Sequence, residues 1–551
     1  MPFDTTLTPE RGAALRAQGW WKDRTINDYF VQTVAAHPNK TALVANVQGV
    51  AGQWRISYSE LDALVGRASA SLRRLGVGPG DVVSLQLPNG WEFIVAALAA
   101  SRIGAVVNPL MPILRERELT YMLGFCETRV LVVPSTFRGH DHAAMARGMQ
   151  AQLPALRRVV VAGESGPDGF DEVLLGDAAA PPVPACESVL RPDDVALLMY
   201  SSGTTGSPKG VMHTSNTLLS TMVTTIEDLQ LQPEDVVLAF SPFGHLTGYA
   251  LLVMLPLMRG NTIVSMDVWD PLKALELARS ENVTYCAGAT PFLNDLVSAV
   301  EGGQPPAPQL RIFGCAGAPI PPVLIERADR ALNLTVCSIW GMTECAAGSI
   351  TRLDRARELS AKADGCSVRG NELKVVDEAG RPASLGTTGR LLMRGASQFV
   401  GYLKRPDLNE LDAQGWFDTG DLAYVLNDEG YIRINGRSKD IVIRGGENVP
   451  VVEIEALLMR HPAVAAVSIV GYPDERLGER ACAFVVTKPG QSFDMGELQR
   501  HMAASKTAKQ FWPERLVICD DLPRTATGKI QKFRLKEQAT SLPQEKTHGA
   551  H

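Results

Sequence analysis

The stretch Tyr200–Gly210 reads YSSGTTGSPKG and follows the apolar run VALLMY. Ser201, Ser202, Thr204, Thr205 and Ser207 supply hydroxyls, Gly203 and Gly206 let a ligand approach the backbone, and Lys209 adds one mobile cation. Backbone N–H groups and hydroxyls in such a loop suit anionic oxygens, so the stretch reads as a phosphate cradle. The bland alternative is a solvated Gly/Ser turn, which leaves the lysine and the glycine spacing without a purpose. This is not the G-x-x-x-x-G-K-[ST] loop, because Pro208 precedes Lys209 and Gly210 follows it. No G-x-G-x-x-G follows a strand pattern either, which disfavours a dinucleotide-binding unit. Three further groups carry polar chemistry of their own. Glu344 in WGMTE is a hard oxygen donor fit for Mg2+, Asp421 in TGD is an acceptor-only group that can take two hydroxyls, and Lys529 lies in the loop TATGK. Taken singly, they read as a helix-cap pair, a turn aspartate and a solvated surface lysine.

The elements that must position these groups alternate. YSELDALVGRASASLRRLG has helical periodicity, VVSLQL is a short apolar run, GWEFIVAALAASRIG is helical and AVVNPL is again strand-like. Such alternation predicts parallel sheets covered by helices on both faces. From about residue 368 the short segments NELKVV, GRLLMRG and GYIRINGR, with Gly and Asn-Asp turns, read as antiparallel strands. The segment from 439 onward has its own helices and strands, enough for a small α+β domain. The expected division is therefore 1–438 and 439–551. The net charge of −6 offers no field for nucleic acid or anionic membrane, so a polyanionic ligand needs a local site. Nine cysteines, an odd number with no CxxC pair, favour reduced buried thiols in a cytoplasmic protein. Neither an N-terminal apolar signal core nor a membrane-spanning run is expected.

YSSGTTGSPKG closely resembles the phosphate-binding signature of the adenylate-forming superfamily of acyl-CoA synthetases, luciferases and peptide-synthetase adenylation domains. WGMTE (340–344), GWFDTGDLA (415–423), GRSKDIVIRGGENV (436–449) and LPRTATGKIQK (522–532) match further motifs of that family in order. The resemblance implies a large domain of two doubly wound subdomains plus a small barrel-like sheet, followed by a mobile C-terminal domain. It also implies a carboxylate attacking ATP to give acyl-AMP and pyrophosphate, and then a thiol, usually that of coenzyme A, displacing AMP. By the same resemblance, Ser201 to Lys209 would wrap the β- and γ-phosphates, Thr343 would bond the α-phosphate, and Glu344 would hold Mg2+. Trp340, where tyrosine is commoner, would stack on adenine with Gly341 and Met342 beside it, and Gly317, Ala318 and Pro319 would lie near the same base. Asp421 would take the ribose hydroxyls, Arg437 the ribose or phosphate, and Lys529 the charge developing at phosphorus. Lys439 stands at the hinge, where many members carry aspartate. Gly445, Gly446 and Glu447 would line the coenzyme A tunnel, and Pro450 and Val451 depart from the usual aromatic-proline pair.

The family places the acyl pocket on His245, Leu246, Gly248, Tyr249, Ala316, Met342, Cys345 and Ala346, nearly all apolar or small, with His245 gating it or orienting the carboxylate. Such a pocket prefers an uncharged carbon skeleton. Asp235 precedes the strand rather than entering the pocket, so an amino-acid substrate is disfavoured. GWWKDRTINDYF, GGENVPVVEIE and LPRTATGKIQKFRLK resemble the branch of cyclohexanecarboxylate–CoA ligases and related medium-chain synthetases. The expected reaction is therefore the ligation of a cyclic or medium-chain acid to coenzyme A, with ATP and Mg2+. The alternative is a free-standing enzyme that loads a carrier protein, and a nucleotide-binding protein without chemistry is disfavoured because the lysine and TGD are intact. The partners are small molecules, with a homodimer left open.

Overall fold

The computed structural model describes residues 3–46, 54–176, 182–184, 189–201, 208–317, 320–437, 442–444, 447–474, 477–505, 507–525 and 528–542. The apolar runs ahead of Asn371 form two sheets. In the first, six strands lie in the order Lys209–Thr214, Val195–Ser201, Val106–Pro109, Val82–Leu85, Val130–Pro134 and Arg158–Ala162, with only the outermost pair antiparallel. The second has nine strands. Its parallel centre runs Thr335–Trp340, Ile312–Ala316, Tyr285–Gly288, Val236–Ala239, Thr262–Met266 and Thr41–Asn46. These strands are buried on both faces, which is why they read as unbroken apolar stretches rather than alternating ones.

A four-stranded antiparallel sheet follows, Asn371–Val376, Gly389–Gly395, Phe417–Val425 and Ile432–Arg437. Beyond it, Gly478–Thr487 pairs with Val464–Asp474, with Arg515–Ile518 and with Val442–Arg444, and the helices Val451–Leu458, Met495–Ala504 and Lys532–Ser541 accompany this last sheet. The expected fold class of parallel α/β sheets plus a small C-terminal α+β unit is the one observed. The proposed boundary at 438/439 lies outside the described residues.

Among the elements with no counterpart in the sequence reading, Thr247–Met254 is a π-helix that runs on into the α-helix Leu255–Arg259. Single-turn π segments are rare and cluster at functional sites. Gly248 sits in it where a Cβ would lie 2.2 Å from the Pro242 carbonyl oxygen, so only glycine fits. Seven of the described cysteines are buried and Cys519 is half-buried, and none is disulfide-bonded.

Candidate functional site

Asp421 and Arg437 face each other across adjacent strands. The Arg437 guanidinium lies 3.2 Å from Asp421 Oδ1, and the Trp340 Nε1–H donates to Oδ2 at 2.8 Å. Asp421 is 6% exposed and Trp340 8%. A carboxylate has about four acceptor positions, so two remain for ribose hydroxyls after these bonds. The Trp340 ring covers Gly348, where a Cβ would come within 2.2 Å of it.

Glu344 is buried, and its Oε1 accepts from the Tyr402 hydroxyl at 2.8 Å. Burial raises this carboxyl above the usual range, while the Tyr402 bond and the charges of Lys209 and Arg437 pull it down. Lys209 Nζ stands 5.0 Å from the centre of the Tyr402 ring, a cation–π contact that brings the lysine towards Glu344. Mg2+ is usually held by one or two carboxylates together with substrate phosphates, so a single buried glutamate beside the phosphate lysine fits that ion. Among the described residues no cluster of three or more acidic, histidine or cysteine ligands exists that would hold a metal without a nucleotide. Thr343 carries its carbonyl to His213, whose Nε2–H donates at 2.7 Å while Nδ1 meets Thr217 Oγ1 at 3.0 Å. Burial holds the His213 imidazole neutral, with a pKa pushed down to about 4. His213 thereby ties the strand that follows the glycine loop to the turn bearing Thr343 and Glu344. Gly341 makes that turn possible, since a Cβ there would lie 1.9 Å from the Ala346 carbonyl oxygen.

At the opposite end, His245 receives the Thr247 N–H on Nδ1 at 3.2 Å. Burial first, and then the nearby Lys529 charge, push its pKa down to about 4, so the ring is neutral at ordinary pH. Lys529 belongs to a tight loop in which the Thr525 N–H donates to the Lys529 carbonyl at 2.7 Å and Arg524 to the Gly528 carbonyl at 3.0 Å. A Cβ on Gly528 would touch Pro291 at 3.2 Å, so the C-terminal loop approaches the large domain here.

Lys209, Thr343, Glu344, Trp340, Asp421 and Arg437 thus form one linked set, and His245 and Lys529 a second. Of the acyl-pocket candidates, Leu246, Tyr249 and Ala316 belong to the large central core, with Ala346 packed against it. Cys345 is fully buried in a different core with Trp340, Val375 and Leu391, and Met342 packs on that one. Ser201 ends its strand and Gly317 takes φ +81°. Ser202 to Ser207, Ala318, Pro319, Lys439, Gly445 and Gly446 lie outside the described residues, as does the side chain of Glu447. Tyr402 and His213 were missed from the sequence. The signal for His213 was its place four residues beyond Lys209, on the same strand face.

Residues 30–403 match the family model of AMP-binding enzymes, and residues 453–529 match the AMP-binding enzyme C-terminal domain. The chain belongs to the AMP-binding enzyme family. This AMP-binding enzyme is 35% identical, over 98% of its length and 94% of the relative's, to the medium-chain fatty-acid–CoA ligase of Escherichia coli strain K12. It is 33% identical to a salicylyl-CoA synthase / salicylate adenylyltransferase of a Streptomyces species, with 95% of each chain covered. The solved structure of ATP-bound MatB from Rhodopseudomonas palustris superposes with a TM-score of 0.83 at 28% identity, covering 94% of this chain and 99% of that one. The AMP-binding enzyme is an acid-activating ligase of the AMP-forming kind. None of its described helices is long and apolar enough to cross a membrane.

Proposed function

We propose that this enzyme activates an apolar carboxylic acid with ATP, releasing pyrophosphate, and passes the acyl group from acyl-AMP to coenzyme A. Asp421, oriented by Trp340 and Arg437, would take the ribose hydroxyls, and Lys209 with the glycine loop the departing phosphates. Mg2+, held by Glu344 and phosphate oxygens, would neutralise phosphate charge. Lys529 would offset the charge that develops as the carboxylate oxygen attacks phosphorus, a kind of stabilisation typically worth about 10²–10³ in rate. The neutral His245 beside it can donate to the substrate carboxylate without adding a second buried cation. The C-terminal unit, pivoting near Lys439, would then exchange the Lys529 face for a tunnel past Gly445, Gly446 and Glu447.

The observation that carries the choice of acid is the fate of Asp235. It is buried, its carboxylate pairs with Arg311 at 2.7 Å, and it accepts from Thr284 Oγ1 at 2.7 Å. It therefore has no charge to offer a substrate ammonium, which disfavours amino acids. Leu246, Tyr249, Ala316 and Ala346 supply apolar surface. Each buried methylene contributes about 0.8 kcal/mol, so a six-carbon ring gains several kcal/mol over acetate if it fits. Cyclohexanecarboxylate, or a similar cyclic or medium-chain acid, is the substrate this reading favours. The test is a competition among cyclohexanecarboxylate, octanoate, acetate, palmitate and phenylalanine with ATP, Mg2+ and coenzyme A, with each thioester read by mass. Acetyl-CoA or palmitoyl-CoA as the dominant product would overturn the substrate assignment. A second reading, transfer to a carrier protein, is favoured by a Mycobacterium tuberculosis relative named salicyl-AMP ligase / salicyl-S-ArCP synthetase, 32% identical over 96% of this chain. AMP release that ignores free coenzyme A would support it.

A further inference from the structure

The family match begins at residue 30, yet the chain ahead of it is tied to the nucleotide site. The link is the segment Gly395–Leu403, which is almost wholly buried and mostly outside any sheet. Buried backbone polar groups must find partners, and here the two edges of the segment find them in different places. Its carbonyls face the N-terminal chain. The Arg11 guanidinium donates to the carbonyls of Gln398, Gly395 and Phe399, the last two at 3.4 Å. Trp21 Nε1–H donates to the Ala396 carbonyl at 2.9 Å, and the Thr6 N–H to the Val400 carbonyl at 2.8 Å. Five of the six carbonyls from Gly395 to Val400 are met in this way.

The other edge faces the site. The Phe399 N–H donates to the Glu344 carbonyl at 2.8 Å, the Val400 N–H to Met212 at 2.9 Å and the Leu403 N–H to Gly210 at 2.8 Å. Ser397 Oγ donates to the Cys345 carbonyl at 2.8 Å, and Tyr402 donates to the Glu344 carboxylate. One short segment therefore sets the positions of Glu344, of the ring beneath Lys209 and of the strand that follows the glycine loop. Among the described residues no carboxylate pairs with Arg11, so its charge is met by carbonyl dipoles alone.

We propose that the N-terminal segment Thr6–Trp21 is a positioning element for the phosphate and Mg2+ end of the site, with Arg11 its principal residue. The proposal rests on the ligase reading above. Losing the Arg11 fork frees the buried carbonyls of Gln398 and Phe399 and leaves that of Gly395 with only the Gln398 N–H, so Gly395–Leu403 relaxes and Glu344 and Tyr402 lose their registration with Lys209. The acid end is at His245 and Lys529.

The test uses the full chain and the variants Arg11→Ala, Arg11→Lys and Trp21→Phe, the last removing one donor while keeping a smaller aromatic ring. Mg·ATP binding is measured by calorimetry, the amide exchange of residues 395–403 by mass spectrometry, and the KM for the acid by pyrophosphate release. Arg11→Ala should weaken Mg·ATP binding about tenfold and speed exchange across 395–403, with the KM for the acid unchanged within about twofold. Arg11→Lys, with one point donor in place of a fork, should recover only part of the affinity. Trp21→Phe should weaken Mg·ATP binding about threefold, and it decides the matter if Arg11→Ala does not fold. Wild-type protein that binds no Mg·ATP overturns the ligase reading itself. Wild-type binding that the variants leave unchanged, or an equal loss at the acid and nucleotide ends, overturns only the positioning role.

Discussion

Replacing Tyr402 by phenylalanine removes one hydroxyl and leaves the ring. The ring packs 4.8 Å from Phe399 and lies beneath Lys209, so both contacts survive. What goes is the 2.8 Å bond to Glu344 Oε1. That hydroxyl donates to the ionised carboxylate and so lowers its pKa, against burial, which raises it. Removal leaves burial opposed by the bond to the backbone N–H of Glu344 and by the charges of Lys209 and Arg437. A hydrogen bond to a charged group is worth about 1.5–3 kcal/mol, so its loss pushes the Glu344 pKa further up. A protonated Glu344 cannot hold Mg2+. The acid limb of kcat/KM for ATP should therefore move towards neutrality, with little change on the alkaline side. The assay is acid-dependent pyrophosphate release from about pH 5.5 to about pH 9, for wild type and Tyr402→Phe at saturating acid. Parallel profiles, displaced by one constant factor at every pH, would refute the assignment of Glu344 as the titrating group.

Lys529→Ala should slow adenylation by about 10²–10³ while thioester formation from supplied acyl-AMP survives, and equal losses in both half-reactions would point to misfolding. Trp340→Phe removes the donor to Asp421, so the KM for ATP should rise about tenfold and discrimination between ATP and 2′-deoxy-ATP should narrow, measured at saturating acid. Gly248→Ala sets a methyl against the Pro242 carbonyl and should cost about 1–3 kcal/mol, visible as a lower thermal midpoint. His142, His213 and His245 have pKa values of about 4, below the usual value for a free imidazole, so protons favour the unfolded chain. Their contribution to stability is lost as pH falls from about 6.5 towards 4, and His213→Gln should make urea denaturation less steeply pH-dependent over that window.

The residues proposed to touch ligand were the more legible in the sequence, because their chemistry constrains type and spacing locally. Glycines beside hydroxyls and Lys209, the acid in TGD and the acid in WGMTE each stand in a short contiguous string. The parallel sheets were legible for a similar reason, since a strand covered on both faces must be apolar throughout. The supporting residues were not. Tyr402 is an ordinary aromatic in VGYLKRP until the fold sets it against Glu344, 58 residues away. Arg11 reads as a solvated charge on a short polar helix, and only the chain's return at Gly395–Val400 gives its fork something to bond. The π-helix was hidden because Thr247–Met254 is apolar on every side, which removes the periodicity that would reveal its winding.

The central claim is that this chain forms an acyl adenylate as a separate first step and only then uses a thiol. It is tested most directly by exchange of labelled pyrophosphate into ATP, with cyclohexanecarboxylate and Mg2+ present and coenzyme A absent, followed by addition of coenzyme A. The account predicts exchange that requires the acid, and rapid conversion of the bound acyl group to its thioester with release of AMP once coenzyme A arrives. No exchange with any acid of the competition panel before coenzyme A is added, or exchange that proceeds without an acid, would contradict it.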